Sequence, residues 1–334
     1  MSDGARRYVW GGITLSSTRA LPELRPVERK TVQVSVTWTR GGAPRRPRAW
    51  IHRWTVPGGS VWLAIGRTTD GYLFRFRRFA NFHWAPGQQQ LTCYLRPGVQ
   101  MKTARHLLLD QVLPILAGDR GDRNGLHGSA VVIEQGAVVF VGETGRGKST
   151  LAASFGSAGH PVITDDCVVL KADRGNLHAI PTYPSLRLWQ DAAETVSGHV
   201  AVPSSPVAEY SAKLRIDTRS LRSLSFYREA APLRCVYVLE RLGPRRSVEI
   251  ERLSQREAFI QLIRFGFRLD PHHSRDLARE MEQVAELSST IPVRRLRIPW
   301  RLELLSDVRE AVLNDLASPA PHRRSRSRAA NGTE

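Results

Sequence analysis

Residues 142–150 read Gly142-Glu143-Thr144-Gly145-Arg146-Gly147-Lys148-Ser149-Thr150. The spacing is that of a phosphate-binding loop, G-x-x-x-x-G-K-[S/T], with Gly142, Gly147, Lys148 and Ser149 in the defining places. The flanks agree: Ala137-Val138-Val139-Phe140-Val141 is an apolar, β-branched run that reads as a buried strand, and Ser149–Ala158 reads as a helix. Glycines let backbone N–H groups turn inward around a phosphate chain, where the new helix adds its positive end. Lys148 then reaches the β/γ-phosphates, the Ser149 hydroxyl ligands Mg²⁺, and Glu143, Thr144, Gly145, Arg146 and Thr150 complete the nucleotide cradle. Glycines at 142, 145 and 147 do not space as the dinucleotide fingerprint G-x-G-x-x-G. The stretch predicts a nucleoside triphosphate site, with ATP and Mg²⁺ as its ligands.

Downstream, Gly159-His160-Pro161 ends the helix, and the short strand Val162-Ile163-Thr164 runs into Asp165-Asp166. Two carboxylates at the carboxyl end of a strand stand where α/β sheets place their chemistry. Phosphoryl transfer to a hydroxyl needs one carboxylate to orient the acceptor or take its proton, and another to position Mg²⁺. A solvated turn is the alternative. The pair follows Lys148 by only seventeen and eighteen residues, and no LSGGQ-like segment is present, which argues against a transporter ATPase.

Leu126-His127-Gly128-Ser129-Ala130, the turn Glu134-Gln135-Gly136, the phosphate loop, and Gly159-His160 followed by Asp165-Asp166 resemble the catalytic domain of bacterial HPr kinase/phosphorylase. The resemblance spans roughly positions 124–172. It implies a fold related to phosphoenolpyruvate carboxykinase and serine phosphorylation of a protein substrate. It also implies that Asp166 is the proton acceptor, that Asp165 supports it, and that His127 is an active-site histidine; for His127 a structural role at a strand start is the alternative. The family's Glu-x-Arg-Gly metal signature does not occur. The nearest stretch is Tyr183–Asp191, in which Asp191 is a candidate metal carboxylate beside Ser149 and Asp165, and Arg187 a candidate phosphate contact. With that departure, the chain looks more like the HPr-kinase-like proteins found with peptide natural-product pathways, whose relatives phosphorylate a precursor peptide such as that of a lasso peptide.

The length of 334 residues favours two domains. Cys93, Cys167 and Cys235 are odd in number and widely spaced, which fits neither a disulfide framework nor a zinc site and points to a reducing, cytoplasmic setting. The first residues lack a signal-peptide core, and no span approaches a transmembrane helix, so no membrane partner is expected. The formal charge of +18 is scattered and unaccompanied by an RNP, helix-turn-helix or zinc-knuckle pattern. Solvated surface charge ranks first, an acidic partner second, nucleic acid third. A homo-oligomer stays open.

Positions 1–118 read as a β-rich unit. Residues 31–39 alternate, with Val32, Val34, Val36 and Trp38 on one face, and Val61–Ile65 and Tyr72–Phe76 are further strands. Trp10, Trp50, Trp54, Trp62 and Trp84, which enrich this half in tryptophan, are core rings or, alternatively, a peptide groove. Arg105–Ala117 predicts a helix kinked at Pro114, and 118–125 a polar boundary loop. Within a second domain at 124–317, residues 197–212 read as a loop near the site, and Lys213 and Arg215 as residues that close on the γ-phosphate or an exposed basic pair. Helices are expected with Phe259, Ile260 and Ile263, and with Leu277, Met281, Val284 and Ala285, on their buried faces. The tail 318–334 reads as disordered.

The expected architecture is α/β: a P-loop kinase core of the HPr kinase/phosphoenolpyruvate carboxykinase type behind a β-rich N-terminal domain. The expected reaction is Mg-ATP-dependent phosphorylation of a serine or threonine on a peptide or small protein. The alternatives are a kinase for free serine or a similar small alcohol, and a nucleotide-binding regulatory module without catalysis.

Overall fold

The computed structural model describes residues 5–28, 31–41, 44, 46–56, 59–119, 121–173, 175–197, 204–208, 211–216, 224–243, 247–299 and 301–318. The expected tail therefore lies outside the described residues beyond 318, as do positions 198–203, 209 and 210 of the expected loop near the site.

Nine strands form the first sheet: β1 (Arg6–Trp10), β2 (Ile13–Ser17), β3 (Arg25–Pro26), β4 (Val34–Arg40), β5 (Ala49–Thr55), β6 (Val61–Arg67), β7 (Tyr72–Phe76), β8 (Ala80–Ala85) and β9 (Gln90–Leu95). Their order is β3-β1-β2-β4-β9-β8-β7-β6-β5, an antiparallel meander from β5 to β9 joined to the rest by parallel pairing of β4 with β9 and β2. On β4 the alternation decides the faces: Val34, Val36 and Trp38 are buried. Trp10 and Trp84 are core residues, whereas Trp50, Trp54 and Trp62 are half-buried.

The sheet leads into one helical run, α1 (Met101–Leu107), a π-helical turn at Leu108–Val112, and α2 (Leu113–Asp119). Pro114 has no N–H to donate, and its ring crowds the carbonyl four residues earlier, that of Asp110. The widened turn accommodates both effects where the sequence predicts a kink. The expected loop at 118–125 is also shorter than predicted, because α2 runs to Asp119 and the next strand starts at Arg123.

The second half contains β10 (Arg123–Leu126), β11 (Gly128–Ile133), β12 (Gly136–Val141), α3 (Lys148–Ser157), β13 (Val162–Thr164), β14 (Val168–Asp173), β15 (Asn176–Ile180), β16 (Leu186–Leu188) and α4 (Gln190–Val196). It continues with β17 (Ser204–Ala208), β18 (Ser211–Ile216), β19 (Ala231–Leu242), β20 (Glu249–Arg252), α5 (Gln255–Phe265), α6 (Ser274–Thr290), β21 (Val293–Pro299) and α7 (Leu305–Ala317). The main sheet runs β10-β14-β15-β19-β12-β11-β13, with β21 beside β19 and β20 outside it. β12, β19 and β21 are parallel neighbours. Alternate residues of β12 serve opposite faces: Val138 and Phe140 pack with α3 and α7, Val139 and Val141 with α5 and α6. Helices thus cover both faces, which is why β11 and β12 are apolar without alternation. A small sheet, β16-β18-β17, occupies part of the segment expected to be loop.

The caps and stripes refine two helices. Ser254 and Glu257 form a capping box on α5, but its buried positions are Ala258, Leu262 and Phe265, with Ile260 52% exposed. On α6, Val284 and Leu287 are buried and Met281 is exposed.

The two halves share one apolar core. Cys167, Val169, Tyr183 and Leu269 pack into the cluster of the first sheet and its helices. A Cβ at Gly11 would meet the Val169 side chain at 2.9 Å, so only glycine permits that approach, and the Gly11 N–H donates to the Pro181 carbonyl at 3.1 Å. Among the described residues, no helix is long and apolar enough to cross a membrane.

Candidate active site

The phosphate loop leaves the carboxyl end of β12, directly beside the parallel strand β19. A Cβ at Gly142 would sit 3.0 Å from the Leu239 carbonyl oxygen, so this position is closed to any side chain. Gly145 and Gly147 have φ of +82° and +95°, in the region where glycine is least strained, and Gly147 is the residue from which α3 starts. Lys148 and Ser149 open α3, so loop amides and the helix N-terminus converge on one spot. The Lys148 backbone is held by Ser129, whose hydroxyl donates to its carbonyl at 2.9 Å.

The Lys148 ammonium is buried and donates to the carbonyls of Gly142 (2.8 Å) and Glu143 (3.0 Å). Burial brings its pKa down to about 8, against the pull of Asp166 and Asp165. A third N–H remains for an anion.

Asp165 and Asp166 follow β13, whose end lies on the same edge of the sheet as the end of β12. Asp165 is only 2% exposed. Its Oδ1 accepts from the Asp166 N–H at 3.0 Å, its Oδ2 from the Arg187 N–H at 3.0 Å, and its carboxylate is also hydrogen-bonded to Ser149. Burial and the neighbouring Asp166 raise its pKa to about 6. Asp166 adopts φ +65°, a left-handed conformation rare for a residue with a side chain. Its carboxylate is 21% exposed and ion-paired to Arg187 Nη2 at 2.6 Å. Burial opposes its charge, but Arg187, then His127, Lys213 and Lys148, overcome burial and hold the carboxyl below its ordinary range. Asp166 is ionised.

His127 joins this pair through Nδ1, 3.1 Å from the Asp166 carbonyl oxygen. A carbonyl only accepts, so Nδ1 carries the proton and Nε2 keeps its lone pair. Burial and Lys148 lower its pKa to about 4, so it is neutral across the physiological range.

Behind the carboxylates lies a buried polar cluster. Arg187 on β16 is 2% exposed and contacts Asp110 through Nη1 (2.8 Å), Asp166 through Nη2 (2.6 Å), and the Asp165 carbonyl through Nη2 (3.3 Å). Only its Nε lacks a protein partner. Asp110 in turn accepts from the Tyr183 hydroxyl at 2.6 and 2.7 Å and pairs with His106 Nδ1. Burial disfavours its charge, yet Arg187 and His106 bring its pKa below the ordinary carboxylate value. Deleting the guanidinium would leave Asp110 buried and uncompensated, at a cost of about 3–5 kcal/mol.

The structure thus gathers Lys148, Ser149, Asp165, Asp166 and His127. Lys213 on β18 joins them electrostatically, acting on His127, Lys148, Asp165 and Asp166. Three sequence expectations change. Asp191 is exposed on the first turn of α4, where its carboxylate accepts from the Ala192 N–H at 2.8 Å, and no contact connects it to Ser149 or Asp165. Arg187 is engaged by protein carboxylates, which leaves no free fork for phosphate. Arg215 pairs with Glu23 at 3.4 Å, away from Lys213's partners. Asp110, Tyr183 and His106 escape a motif search. The usable signal was Asp110 itself, the one acidic residue in the apolar run 107–117, with a histidine four residues before it.

The residues present fit a magnesium-bound nucleoside triphosphate. Gly142, Gly145 and Gly147 hold the loop at positive φ, Lys148 offers a free N–H, and Ser149 and Asp165 supply hard oxygen donors of the kind Mg²⁺ takes in ones and twos beside water and phosphate. Among the described residues, no group of three or more His, Cys, Asp or Glu is gathered as a metal site.

No protein-family profile matches this chain, and no curated protein matches it. Among solved structures, the fold is similar to the HPr(Ser) kinase/phosphatase from Coxiella burnetii, at 15% identity and a TM-score of 0.29, over 57% of this chain and 97% of that one. A likeness at that score carries no weight for chemistry, which has to be read from the residues themselves.

Proposed function

We propose that the protein is a Mg²⁺- and ATP-dependent phosphotransferase of HPr-kinase-like type that phosphorylates a serine or threonine hydroxyl on a peptide or small protein. One observation carries the reading: Lys148 and Ser149 at the start of α3 meet Asp165 and Asp166 at the end of β13, on one edge of one sheet. The loop amides of 142–149 and the Lys148 ammonium hold the phosphate chain through charge-assisted hydrogen bonds. Ser149 and Asp165 are the residues that would hold Mg²⁺, whose chemistry is to neutralise charge developing on phosphate oxygens. Asp166 orients the acceptor hydroxyl and receives its proton. Its low pKa suits this role, because phosphoryl transfer passes through a loose transition state in which positioning counts for more than basicity. His127 presents Nε2 as an acceptor beside it.

Two features favour a peptide acceptor. β5 stands at the end of the nine-stranded sheet, and an edge strand can pair with an extended chain. The formal charge of +18 favours an acidic one. The test is transfer from radiolabelled MgATP to acidic serine-containing peptides and to free serine, with Asp166→Asn and Asp165→Asn in parallel. Asp166→Asn is expected to bind ATP and to lose transfer by about a hundredfold to ten-thousandfold. Normal transfer in Asp166→Asn with loss in Asp165→Asn would reverse the two roles. Indifference to both would leave a nucleotide-binding module, and label on free serine alone a small-molecule kinase.

A further inference from the structure

The helical run after the first sheet reaches the candidate active site. Its π-helical turn carries Asp110, which is 2% exposed and has both oxygens engaged by Tyr183, His106 and Arg187. Arg187 spends one prong of its fork on this fixed carboxylate and the other on Asp166. Its backbone N–H and its Nη2 also reach Asp165, at 3.0 and 3.3 Å. Asp166 has the opposite character to Asp110. It is partly exposed, sits at positive φ, and among the described residues Arg187 alone makes a direct polar contact with its carboxylate oxygens. One end of the fork is therefore anchored and the other end carries a carboxylate that would otherwise be free to turn.

We propose that Asp110 and Arg187 are positioning residues for phosphoryl transfer, a clamp that fixes the Asp166 carboxylate toward the acceptor and makes the N-terminal unit a working part of the catalytic site. The proposal rests on the phosphotransferase reading. A guanidinium is suited to the task because its donors are planar and fixed, so anchoring one prong aims the other. A lysine holds one carboxylate as a point charge and aims nothing. Placement in a π-helical turn agrees, since such turns recur at functional sites. The titratable and charged groups that act on Asp166 are Arg187 on β16, His127 before β11, which is charged only in acid, Lys148 on α3, Lys213 on β18 and Asp165 beside it, with Asp110 behind Arg187. Arg187 is the strongest of the cations.

The experiment uses the full chain and MgATP, with water as the phosphoryl acceptor, and measures nucleotide affinity, KM and kcat. Arg187→Lys is expected to bind MgATP as the native protein does and to turn over about tenfold to a hundredfold more slowly. Asp110→Asn should also lose kcat with its affinity kept. The paired substitution Asp110→Asn with Arg187→Gln removes one buried charge of each sign. It should fold, bind MgATP and lose kcat at unchanged KM. A merely structural role would weaken affinity in step with turnover instead of lowering kcat alone. Native kcat in Arg187→Lys, or in the paired variant if Arg187→Lys does not fold, overturns the clamp, as does a loss of affinity in step with turnover. Native turnover in Asp166→Asn removes instead the catalytic reading beneath it.

Discussion

Two buried cations stand near Asp165 and Asp166 and are held in opposite ways. The Lys148 ammonium is in contact with backbone carbonyls, and burial lowers its pKa to about 8. Arg187 is buried as deeply but lies between two carboxylates; burial works against its charge, and Asp110 and Asp166 raise its pKa well above the ordinary value regardless. A buried charge without an ionic partner gains by meeting one, whereas a charge already paired on both sides gains nothing from a third anion. On the proposed function, Lys148 is the receptor for phosphate. Arg187 is part of the framework. The difference between them separates binding from alignment within one site.

The largest effect should come from cutting the framework away. Removing residues 1–117 takes Asp110 and His106 from Arg187 and exposes Cys167, Val169, Tyr183 and Leu269, which pack against the first sheet and its helices. The truncated chain is expected to show no cooperative thermal transition by circular dichroism. A truncated chain that melts cooperatively and binds MgATP would break the comparison, because the framework would then be dispensable.

A smaller effect sharpens the receptor side. Lys148 is charged below its pKa and neutral above it, so MgATP affinity should weaken as pH rises past about 8. The slope is at most about tenfold per pH unit for one linked proton. Lys148→Arg keeps its charge throughout this range, and its affinity profile should be flat there even if its absolute affinity is lower. Equal slopes in the two proteins would assign the limb to another group.

What could be read in advance follows the same division. The receptor side is contiguous: nine residues from Gly142 to Thr150, with β12 before and α3 after, make a local motif whose geometry depends little on the rest of the chain. The placement of Asp165 and Asp166 at the end of a short strand was also legible, because Val162-Ile163-Thr164 is a β-branched run that stops at them. The framework side is assembled from residues 106–110, 165–166 and 183–187, and nothing in one segment announces the others. Asp191 shows the converse failure. Its spacing suited a metal ligand, but a carboxylate on the first turn of a helix is satisfied by that helix's own N–H groups. Pro114 was legible as an irregularity in the helix, but the form it takes, a widened turn at Leu108–Val112, was not.

The central claim is that the crevice at Gly142–Ser149 binds a nucleoside triphosphate through Lys148. Calorimetric titration of MgATP into the native chain and into Lys148→Ala tests it most directly. A single saturable site in the native protein, weakened by about tenfold to a hundredfold in the variant, is the expected result for loss of one charge-assisted contact. No binding to the native chain, or the same affinity in both proteins, would contradict it.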